Sequence, residues 1–394
     1  MKTEFTEKDL LTRGVEEVIE EKNLKKKLKK GKKLRIKFGI DPTAPDIHLG
    51  HTVPMWKLRQ FQDMGHTAVL IIGDYTASIG DPSGKDKTRP PLTEKEIKKN
   101  YKTYEKQALK ILRKDRLEVH KQTEWFKKFN LKELIKLTSQ ISVGQLLSHE
   151  TFRARLRKNE PLSTHELLYP FLQGYDSVAI KADVELGAVE QKFNLLAGRI
   201  IQKQNNMNPQ DVITTPYLLG TDGKEKMSKS LGNYIALQDK PEDMFGKVMS
   251  ITDDEIIKYF ELATPLPTKE IKKLKKEKIT GKTARNLKIK LAELITTIYW
   301  GEEEAKKARK RFETQFQKQE IPKDVKEFKT NKKKVTDVLD KTDLTSSKSE
   351  ARRLIKQGAV YINDKRVEDI HAEIPKKPFI LRVGRRKIIK VSKK

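Results

Sequence analysis

The chain of 394 residues is 36% hydrophobic and 35% charged, a composition typical of a folded protein with a highly charged surface. Its length predicts two or three domains. The formal net charge of +29 predicts a polyanionic partner such as nucleic acid. The absence of cysteine excludes disulfides, iron–sulfur clusters and cysteine-based zinc sites. No apolar run reaches the roughly 20 residues of a membrane-spanning helix, and the start of the chain lacks a signal-peptide core, so we expect a cytoplasmic protein with no membrane partner.

The first 237 residues combine apolar strand patterns with helical patterns. We expect helix up to about residue 34, strands near 34–40, 69–74 and 180–186, and helices near 53–63, 93–171 and 194–201. Strands that alternate with helices predict parallel βαβ units, in which ligands bind at the carboxyl ends of the strands. The long helical stretch at about 93–171 is interpreted as an insertion between two halves of one sheet. The sequence therefore predicts an α/β domain with a parallel sheet.

The remainder of the chain predicts further units. Residues 238–316 have a predominantly helical pattern, and residues 317–336 are charged with little periodicity, which indicates a linker. The last unit, residues 337–394, contains a Ser- and Thr-rich helix cap at 345–350 and strand patterns at 360–363 and 380–383. This small, basic helix-plus-sheet module resembles the RNA-binding fold first recognised in a ribosomal small-subunit protein. A stabilising appendage is the alternative.

Two short motifs far apart in the sequence carry the chemistry. The first, His48-Leu49-Gly50-His51, places two imidazoles at the predicted start of a helix, where backbone N–H groups and the helix dipole favour an anion. The second, Lys226-Met227-Ser228-Lys229-Ser230, offers two ammonium groups on a hydroxyl-rich loop. Each motif alone is more often an ordinary surface or core feature. Together, in this order and on a βαβ frame, they predict a site for the phosphates of ATP.

The paired motifs resemble the two signature sequences of the class I aminoacyl-tRNA synthetases, and the chain is most similar to the tyrosyl-tRNA synthetase family. The stretch from Phe38 to Arg89, the set Tyr169, Gln173 and Asp176, and the C-terminal module also match that family. The resemblance implies a Rossmann-like catalytic domain at residues 1–237 with the helical insertion, followed by a helical anticodon-side domain, the linker and the RNA-binding domain. It also implies a homodimer.

The reaction of this family has two steps. The tyrosine carboxylate attacks the α-phosphate of ATP and expels pyrophosphate, and the tyrosyl-adenylate then esterifies the 3′ end of tRNA(Tyr). A carboxylate is already nucleophilic, so catalysis requires positioning and the stabilisation of charge on phosphate oxygens. We expect Mg²⁺ to arrive with ATP, and we expect no permanent cofactor and no metal site of the protein's own.

The resemblance assigns candidate residues to each part of this reaction. The catalytic candidates are Thr43, His48, His51, Lys85, Arg89, Lys226 and Lys229. The candidates for ATP binding are Gly50, Glu190, Met227, Ser228 and Lys229. The candidates for tyrosine binding are Asp41, Thr76, Asp81, Tyr169, Gln173, Asp176 and Gln191. By this resemblance, Asp176 would accept the phenol hydrogen bond. The α-ammonium group would be held by Tyr169, Gln173 and Asp81.

Three positions differ from the commoner bacterial pattern of the family. Lys37 stands where many relatives have a tyrosine, and it either pairs with Asp176 or points away. Glu185 replaces an amide, and Pro54 replaces a frequent threonine near the ribose. These differences indicate a distinct bacterial subgroup rather than another amino-acid specificity.

Three other functions stay open as alternatives. A tryptophanyl-type synthetase shares the frame but lacks a C-terminal RNA-binding module. A nucleotidyltransferase that makes a small cofactor also uses two histidines near a phosphate, but such enzymes are usually shorter and need no RNA module. A non-catalytic RNA-binding or splicing factor would leave the two histidines and the two lysines without a purpose.

Overall fold

The computed structural model describes residues 5–83, 92–317, 325–342, 344–363, 365–375, 377–384 and 387–393. The chain divides into two compact units, residues 1–308 and residues 309–394. Within the described residues, no helix is both long enough and apolar enough to cross a membrane.

A six-stranded sheet forms the centre of the first unit. Its strands are β1 (Glu17–Ile19), β2 (Arg35–Ile40), β3 (Thr67–Ile72), β4 (Leu117–Lys121), β5 (Val184–Ala188) and β6 (Asp211–Thr215). Their order is β1-β6-β5-β2-β3-β4, and every neighbouring pair is parallel except β1 with β6. All residues of β3 are buried, as expected for a strand inside a parallel sheet that helices cover. The predicted α/β class with a parallel sheet is confirmed.

Two strands lie where the sequence predicted helix. β4 falls inside the stretch 93–171 that we interpreted as a helical insertion, and it pairs with β3. β1 falls within the first 34 residues and pairs with β6. Both strands lie at the edges of the sheet, and both contain charged residues, so they lack the apolar pattern that identifies a central strand. The helix predictions are therefore wrong at these two edges.

Helices cover the sheet and continue through the rest of the first unit. Those before β6 are α1 (Glu7–Thr12), α2 (Glu21–Lys29), α3 (Leu49–Asp63), α4 (Thr76–Ile79), α5 (Glu94–Tyr101), α6 (Tyr104–Ala108), α7 (Thr123–Phe126), α8 (Leu131–Thr138), α9 (Val143–Leu146), α10 (Glu150–Arg157), α11 (Tyr169–Ala179) and α12 (Lys192–Gln204). After β6 follow α13 (Pro241–Met249), α14 (Ile256–Ala263), α15 (Thr268–Leu274), α16 (Gly281–Trp300) and α17 (Glu302–Gln317), the last of which ends in the second unit.

Two buried basic side chains connect α3, the helix that begins at the histidine motif, to α1, and the end of α1 to α14. Lys57 on α3 donates from Nζ to the backbone carbonyl of Asp9 in α1 at 2.9 Å. Arg13, which directly follows α1, donates to the carbonyl of Thr264 at the end of α14 at 2.6 Å. The last carbonyls of a helix have no partner within the helix, so a cation there is stabilising. These contacts join α3, the start of the chain and the later helices of the first unit.

The second unit is a small helix-and-sheet module. Its strands are β7 (Glu327–Thr330), β8 (Val360–Ile362), β9 (Lys365–Arg366), β10 (Phe379–Val383) and β11 (Lys387–Lys393), in the order β7-β11-β10-β8-β9. The helices α18 (Val335–Asp340) and α19 (Lys348–Lys356) share one apolar core with the sheet. Ser347 caps α19, because its hydroxyl accepts from the N–H of Glu350 at 3.2 Å.

β7 lies within residues 317–336, which the sequence predicted to be a linker. It pairs in parallel with β11, with Glu327 opposite Lys390. Its apolar residue Phe328 packs against the core of the second unit. A strand this short has no periodicity of its own and is formed by its partner strand, so the linker prediction is wrong for Glu327–Thr330.

Candidate active site

His48 and His51 form the start of α3. His48 is the N-cap of the helix and has an extended backbone, and its ring centroid lies 3.7 Å from that of His51. The His48 backbone N–H donates to Nδ1 of His51 at 3.3 Å, which leaves the proton of a neutral His51 ring on Nε2. The two imidazoles therefore lie at the N-terminal turn of the helix, where the helix dipole favours an anion.

Both imidazoles are held in their neutral form. Burial, together with the ammonium groups of Lys229 and Lys226, lowers the pKa of His48 to about 3. Burial also lowers the pKa of His51 well below its ordinary value, with His48 and the same two lysines as further causes. A neutral imidazole still donates one hydrogen bond, so these rings can bind a phosphate oxygen without exchanging protons near pH 7.

The second signature lies directly beside the first. The N–H of Gly50 donates to Sδ of Met227 at 3.3 Å, and a Cβ added to Gly50 would lie 3.5 Å from Cβ of Met227 and 3.0 Å from Cε1 of His48. The backbones also pair, because the N–H of Leu49 donates to the carbonyl of Ile235 at 3.0 Å. The two motifs thus form one site, as the sequence predicts.

The two lysines of the second signature contact oxygen atoms of the protein. Lys226 forms an ion pair with Glu190, and its side chain is 53% exposed. Lys229 donates to the backbone carbonyl of Asp46, and burial lowers its pKa to about 8. Both ammonium groups thus have acceptors that the phosphate oxygens of a nucleotide could replace.

These elements open onto a cavity of about 560 Å³, a size typical of small-molecule sites. The predicted site residues that line it are Asp41, Thr43, His48, Gly50, His51, Thr76, Asp81, Tyr169, Gln173, Asp176, Glu190, Gln191, Lys226, Met227 and Ser228. Lys229 is not among the lining residues, because its ammonium group contacts Asp46. Lys85 and Arg89 lie outside the described residues.

Asp176, on α11, forms the buried end of the cavity. Its carboxylate accepts from Nε2 of Gln122 at 2.8 Å and from Nε1 of Trp125 at 3.1 Å. Burial raises the pKa of Asp176 to about 7, and the charge of Lys37 is the strongest opposing influence. The sequence predicted Asp176 but not its two donors. Gln122 directly follows β4, so the unrecognised strand end was the signal that could have identified it.

Tyr169, Asp41 and Thr76 form a second hydrogen-bonded group. The Tyr169 hydroxyl donates to Oδ2 of Asp41 at 2.9 Å, and the Thr76 hydroxyl donates to Oδ1 at 2.6 Å. Burial, reinforced by the charge of Asp41, raises the pKa of Tyr169 well above its ordinary value, so the phenol keeps its proton. A Cβ at Gly73 would collide with the Asp41 carboxylate and the Thr76 hydroxyl, so this arrangement requires glycine there.

Asp81 is held by two donors next to the same cavity. Nε2 of Gln191 donates to Oδ2 of Asp81 at 3.0 Å, and the backbone N–H of Ser83 donates to Oδ1 at 2.9 Å. Thr43 is exposed on the turn that follows β2, where its N–H donates to the carbonyl of Asp41 at 2.8 Å. The tyrosine-binding candidates are thus fixed by neighbours, whereas the Thr43 side chain faces solvent.

Lys37 pairs with Glu185, which neither alternative drawn from the sequence included. Its Nζ lies 2.9 Å from Oε1 of Glu185, and the two side chains are 0% and 1% exposed. The two residues are direct neighbours on β2 and β5. The sequence contained a signal for this pair, because Lys37 and Glu185 each interrupt an apolar strand. The contact itself depends on the pairing of the two strands.

Comparison of the chain with known proteins identifies its family. The family model described as class I tRNA synthetases (W and Y) matches residues 29–317, and the model described as the SYY-like C-terminal domain of tyrosine–tRNA ligase matches residues 314–391. The chain is 48% identical to the tyrosine–tRNA ligase of Thermotoga maritima, over 97% of this chain and 96% of that protein. The chain belongs to the tyrosyl-tRNA synthetase family.

Two other tyrosyl-tRNA synthetases also match the chain, one in sequence and one in structure. The tyrosine–tRNA ligase of Carboxydothermus hydrogenoformans is 45% identical, over 97% of each chain. The crystal structure of a C-terminally truncated mitochondrial tyrosyl-tRNA synthetase from Coccidioides posadasii matches with a TM-score of 0.64 and 26% identity, over 75% of this chain and 88% of that chain. Nearly full-length similarity to tyrosine–tRNA ligases, together with the match to their C-terminal domain, separates the chain from the tryptophanyl-type alternative.

Proposed function

We propose that the cavity binds tyrosine at its buried end and ATP at the two signatures, so that each end serves one substrate. The chain is a class I aminoacyl-tRNA synthetase that ligates tyrosine to tRNA, the activity named for its relatives. The observation that carries the division is the meeting of both signatures at the cavity that ends at Asp176.

The phenol of tyrosine would bind at Asp176. The carboxylate accepts the phenol hydrogen bond, while Gln122 and Trp125 hold it in place. Phenylalanine would leave this buried carboxylate without its ligand partner, a kind of discrimination for which tyrosyl-tRNA synthetases are themselves the standard example. The buried end would thus select the hydroxyl.

The α-ammonium group would be bound by Asp81, Tyr169 and Gln173. Each of these side chains lines the cavity and offers an oxygen atom, and oxygen acceptors suit a group that has only donors. The tyrosine-binding candidates that hold these acceptors in place are Asp41, Thr76 and Gln191.

The nucleotide end would stabilise the attack of the tyrosine carboxylate on ATP. A carboxylate oxygen bonds to the α-phosphorus, the bond from this phosphorus to the bridging oxygen breaks, and pyrophosphate leaves with the electron pair of that bond. The step transfers no proton, so neutral imidazoles serve as hydrogen-bond donors rather than as bases. Thr43 and His48 would donate to phosphate oxygens in the transition state, and His51 would pack near the nucleotide.

The two lysines would move from their present acceptors to the leaving pyrophosphate. Lys226 would exchange Glu190 for a phosphate oxygen, which frees the Glu190 carboxylate for the ribose hydroxyls. Lys229 would likewise leave the Asp46 carbonyl. Lys85 and Arg89, outside the described residues, would add positive charge. The remaining nucleotide contacts are proposed to come from Gly50, Met227 and Ser228.

Magnesium is proposed to enter the site on the phosphates of ATP, as part of that substrate. It would neutralise phosphate charge, while the side chains of the protein position the oxygens. In the described part of the chain, no three or more histidine, aspartate or glutamate side chains are grouped as metal ligands.

Binding of tRNA is proposed to use the basic surface of the chain, including the second unit. The net charge of +29 favours a polyanion, and α19 exposes Arg352, Arg353 and Lys356. The family model of the tyrosine–tRNA ligase C-terminal domain covers this helix. The proposed domains are a catalytic domain at 1–237, a helical anticodon-side domain at 238–316 and an RNA-binding domain at 337–394.

A homodimer is also proposed. Leu131 and Ile135 on α8 and Val143 on α9 are 72%, 60% and 68% exposed. Exposed apolar side chains on neighbouring elements favour a protein contact, and a second copy of the chain would cover them. The cytoplasmic location stays a prediction of the sequence.

The exchange of labelled pyrophosphate into ATP tests the activation step, with each amino acid supplied in turn. We expect exchange with tyrosine. Exchange with tryptophan, or with no amino acid, would contradict the assignment of the buried end.

Truncation after Gln317 tests the role of the second unit. We expect the shortened enzyme to keep tyrosine-dependent exchange, because the cavity lies within the first unit. We expect its rate of tRNA charging to fall by at least about 100-fold at 150 mM salt, since phosphate contacts are lost. The full chain in the same assay is the control, and unimpaired charging would refute the proposed role.

A further inference from the structure

A buried ion pair lies beneath the proposed tyrosine site, and none of the roles above uses it. We propose that Lys37 and Glu185 are positioning residues, which orient the side-chain amide of Gln173 so that its oxygen faces the α-ammonium group of the bound amino acid. The inference rests on the proposed function, because it concerns the amino acid that the same cavity binds.

Lys37 holds the sheet and α11 together. It is the Cα partner of Glu185 in the register of β2 and β5, and its Nζ lies 2.9 Å from Oε1 of Glu185. The ammonium group also donates to the hydroxyl of Ser177 at 2.8 Å and to the backbone carbonyl of Gln173 at 2.7 Å, both on α11. Its three N–H groups thus have three acceptors, which fixes its position.

Glu185 accepts hydrogen bonds from three side chains besides Lys37. Gln173 donates from Nε2 at 3.1 Å, Ser177 donates from Oγ at 3.2 Å, and Gln210 donates from Nε2. A carboxylate paired with an ammonium group only accepts hydrogen bonds. The amide of Gln173 must therefore turn its nitrogen toward Glu185.

The oxygen of that amide is left for a ligand. Within the described part of the chain, Oε1 of Gln173 is buried without a hydrogen-bond partner, and Gln173 lines the cavity. A buried acceptor without a partner is unfavourable, so a positively charged donor that enters the cavity is stabilised there. A reversed amide would present its NH₂ group to the ammonium group and repel it. The fixed orientation therefore contributes to the affinity for the amino acid.

Stability alone does not account for the ion pair. Buried ion pairs contribute little net stability compared with apolar residues of similar volume. Apolar residues, however, could not distinguish the two ends of an amide. Replacing both charged residues together therefore separates a structural role from a positioning role, and it leaves no unpaired buried charge.

The experiment compares tyramine and 4-ethylphenol as competitive inhibitors of tyrosine-dependent pyrophosphate exchange, because they differ by the ammonium group. In the unmodified enzyme we expect tyramine to bind more tightly. In the double variant Lys37→Met/Glu185→Met, we expect the ratio of the two inhibition constants to fall about tenfold, as one hydrogen bond to a charged group is lost. The ratio cancels effects on the phenol end, which both inhibitors share.

Ser177→Ala is the matched control. Its hydroxyl contacts Lys37 and Glu185 but not the amide of Gln173, so we expect this variant to keep the ratio of the unmodified enzyme. A purely structural role of the network predicts equal changes in the control and the double variant. An unchanged ratio in the double variant, or an equal fall in Ser177→Ala, overturns the inference.

A second double variant keeps the test available if the first does not fold. In Lys37→Met/Glu185→Gln, the new amide can both donate and accept hydrogen bonds, so it no longer fixes the orientation of the Gln173 amide. We therefore expect the ratio of the two inhibition constants to fall about threefold. An unchanged ratio here also overturns the inference. An unmodified enzyme without tyrosine-dependent exchange contradicts the proposed function instead.

Discussion

The two ends of the cavity differ in how their polar side chains are held. At the tyrosine end, Asp176 and Gln173 lie on α11, are 2% and 8% exposed, and are hydrogen-bonded to neighbouring elements. At the nucleotide end, Lys226 lies on a loop, is 53% exposed, and pairs with Glu190, itself a candidate ligand of ATP. The proposed tyrosine end is thus organised in the ligand-free protein, whereas the proposed nucleotide end would exchange contacts when ATP binds.

This difference separates selectivity from catalysis. A fixed, buried polar group discriminates between ligands, because the wrong ligand leaves it unpaired. An ammonium group on a loop can follow charge as it develops on the leaving pyrophosphate. Substitutions at the tyrosine end should therefore change tyrosine binding, and substitutions at the nucleotide end should change the rate of activation.

The largest expected effect is that of Asp176→Ala. Removing the acceptor leaves the phenol hydroxyl and the donors Gln122 and Trp125 without their partner, so kcat/KM for tyrosine should fall about 10³-fold, mainly through KM. Pyrophosphate exchange at varied tyrosine concentration measures this. The KM for ATP serves as the internal control and should stay unchanged. An unaltered KM for tyrosine would refute the role of the buried end.

Lys229→Ala should have a smaller effect, and this effect should be on kcat rather than on the KM for tyrosine. Loss of one charge near the leaving group should lower kcat of exchange about 100-fold, while the KM for tyrosine changes less than about twofold. Lys229→Arg, which keeps the charge, is the matched control and should retain more activity. A loss of tyrosine affinity as large as that in Asp176→Ala would remove the distinction between the two ends.

The smallest expected effect is a pH dependence with two limbs, one from each end. The pKa of Asp176 is raised to about 7 by burial, with Lys37 and Glu185 as the facing charges. Protonation below pH 7 replaces the charged acceptor by a weaker, neutral one, so kcat/KM for tyrosine should be about tenfold lower at pH 6 than at its maximum. The pKa of Lys229 is lowered to about 8 by burial, so kcat/KM for ATP, which reports groups of the free enzyme, should fall above pH 8 as the ammonium group loses its charge.

Two variants test whether the acid and alkaline limbs of the pH profile come from Asp176 and Lys229. Asp176→Asn cannot titrate, so its residual activity should lose the acid limb. Lys229→Arg stays charged throughout, so it should lose the alkaline limb. A profile that keeps both limbs in both variants would show that other groups titrate.

The sequence predicted the strands that burial makes recognisable. β2, β3 and β5 have apolar runs, and the sequence placed strands at or near each of them. β1, β4, β7 and β9 are short or charged strands at sheet edges. β6 has no strong alternation, and lysines interrupt β11. These six strands were missed. Such strands form because a distant partner offers hydrogen bonds, and a local pattern does not contain that information.

The same limit applies to the site. The two signatures were recognisable because phosphate chemistry needs several special residues within a few positions of each other. The sequence did not identify the contacts of Asp176 with Gln122 and Trp125, or that of Lys37 with Glu185. Each of these contacts forms only when β4, β5 and α11 come together in the folded protein. The residues proposed to touch substrate could thus be recognised from motifs, whereas the residues that support them required the tertiary structure.

The hydrogen bond between Leu49 and Ile235 tethers the second signature to the first by the few residues that follow Ser230. When neither lysine contacts a phosphate, this short connection still keeps both ammonium groups near the histidine motif. Their effective concentration there is on the order of millimolar or more. In the proposed mechanism, neither lysine therefore needs a strong intrinsic affinity for pyrophosphate. Weak individual contacts would suffice for the proposed reaction and would also let the product depart.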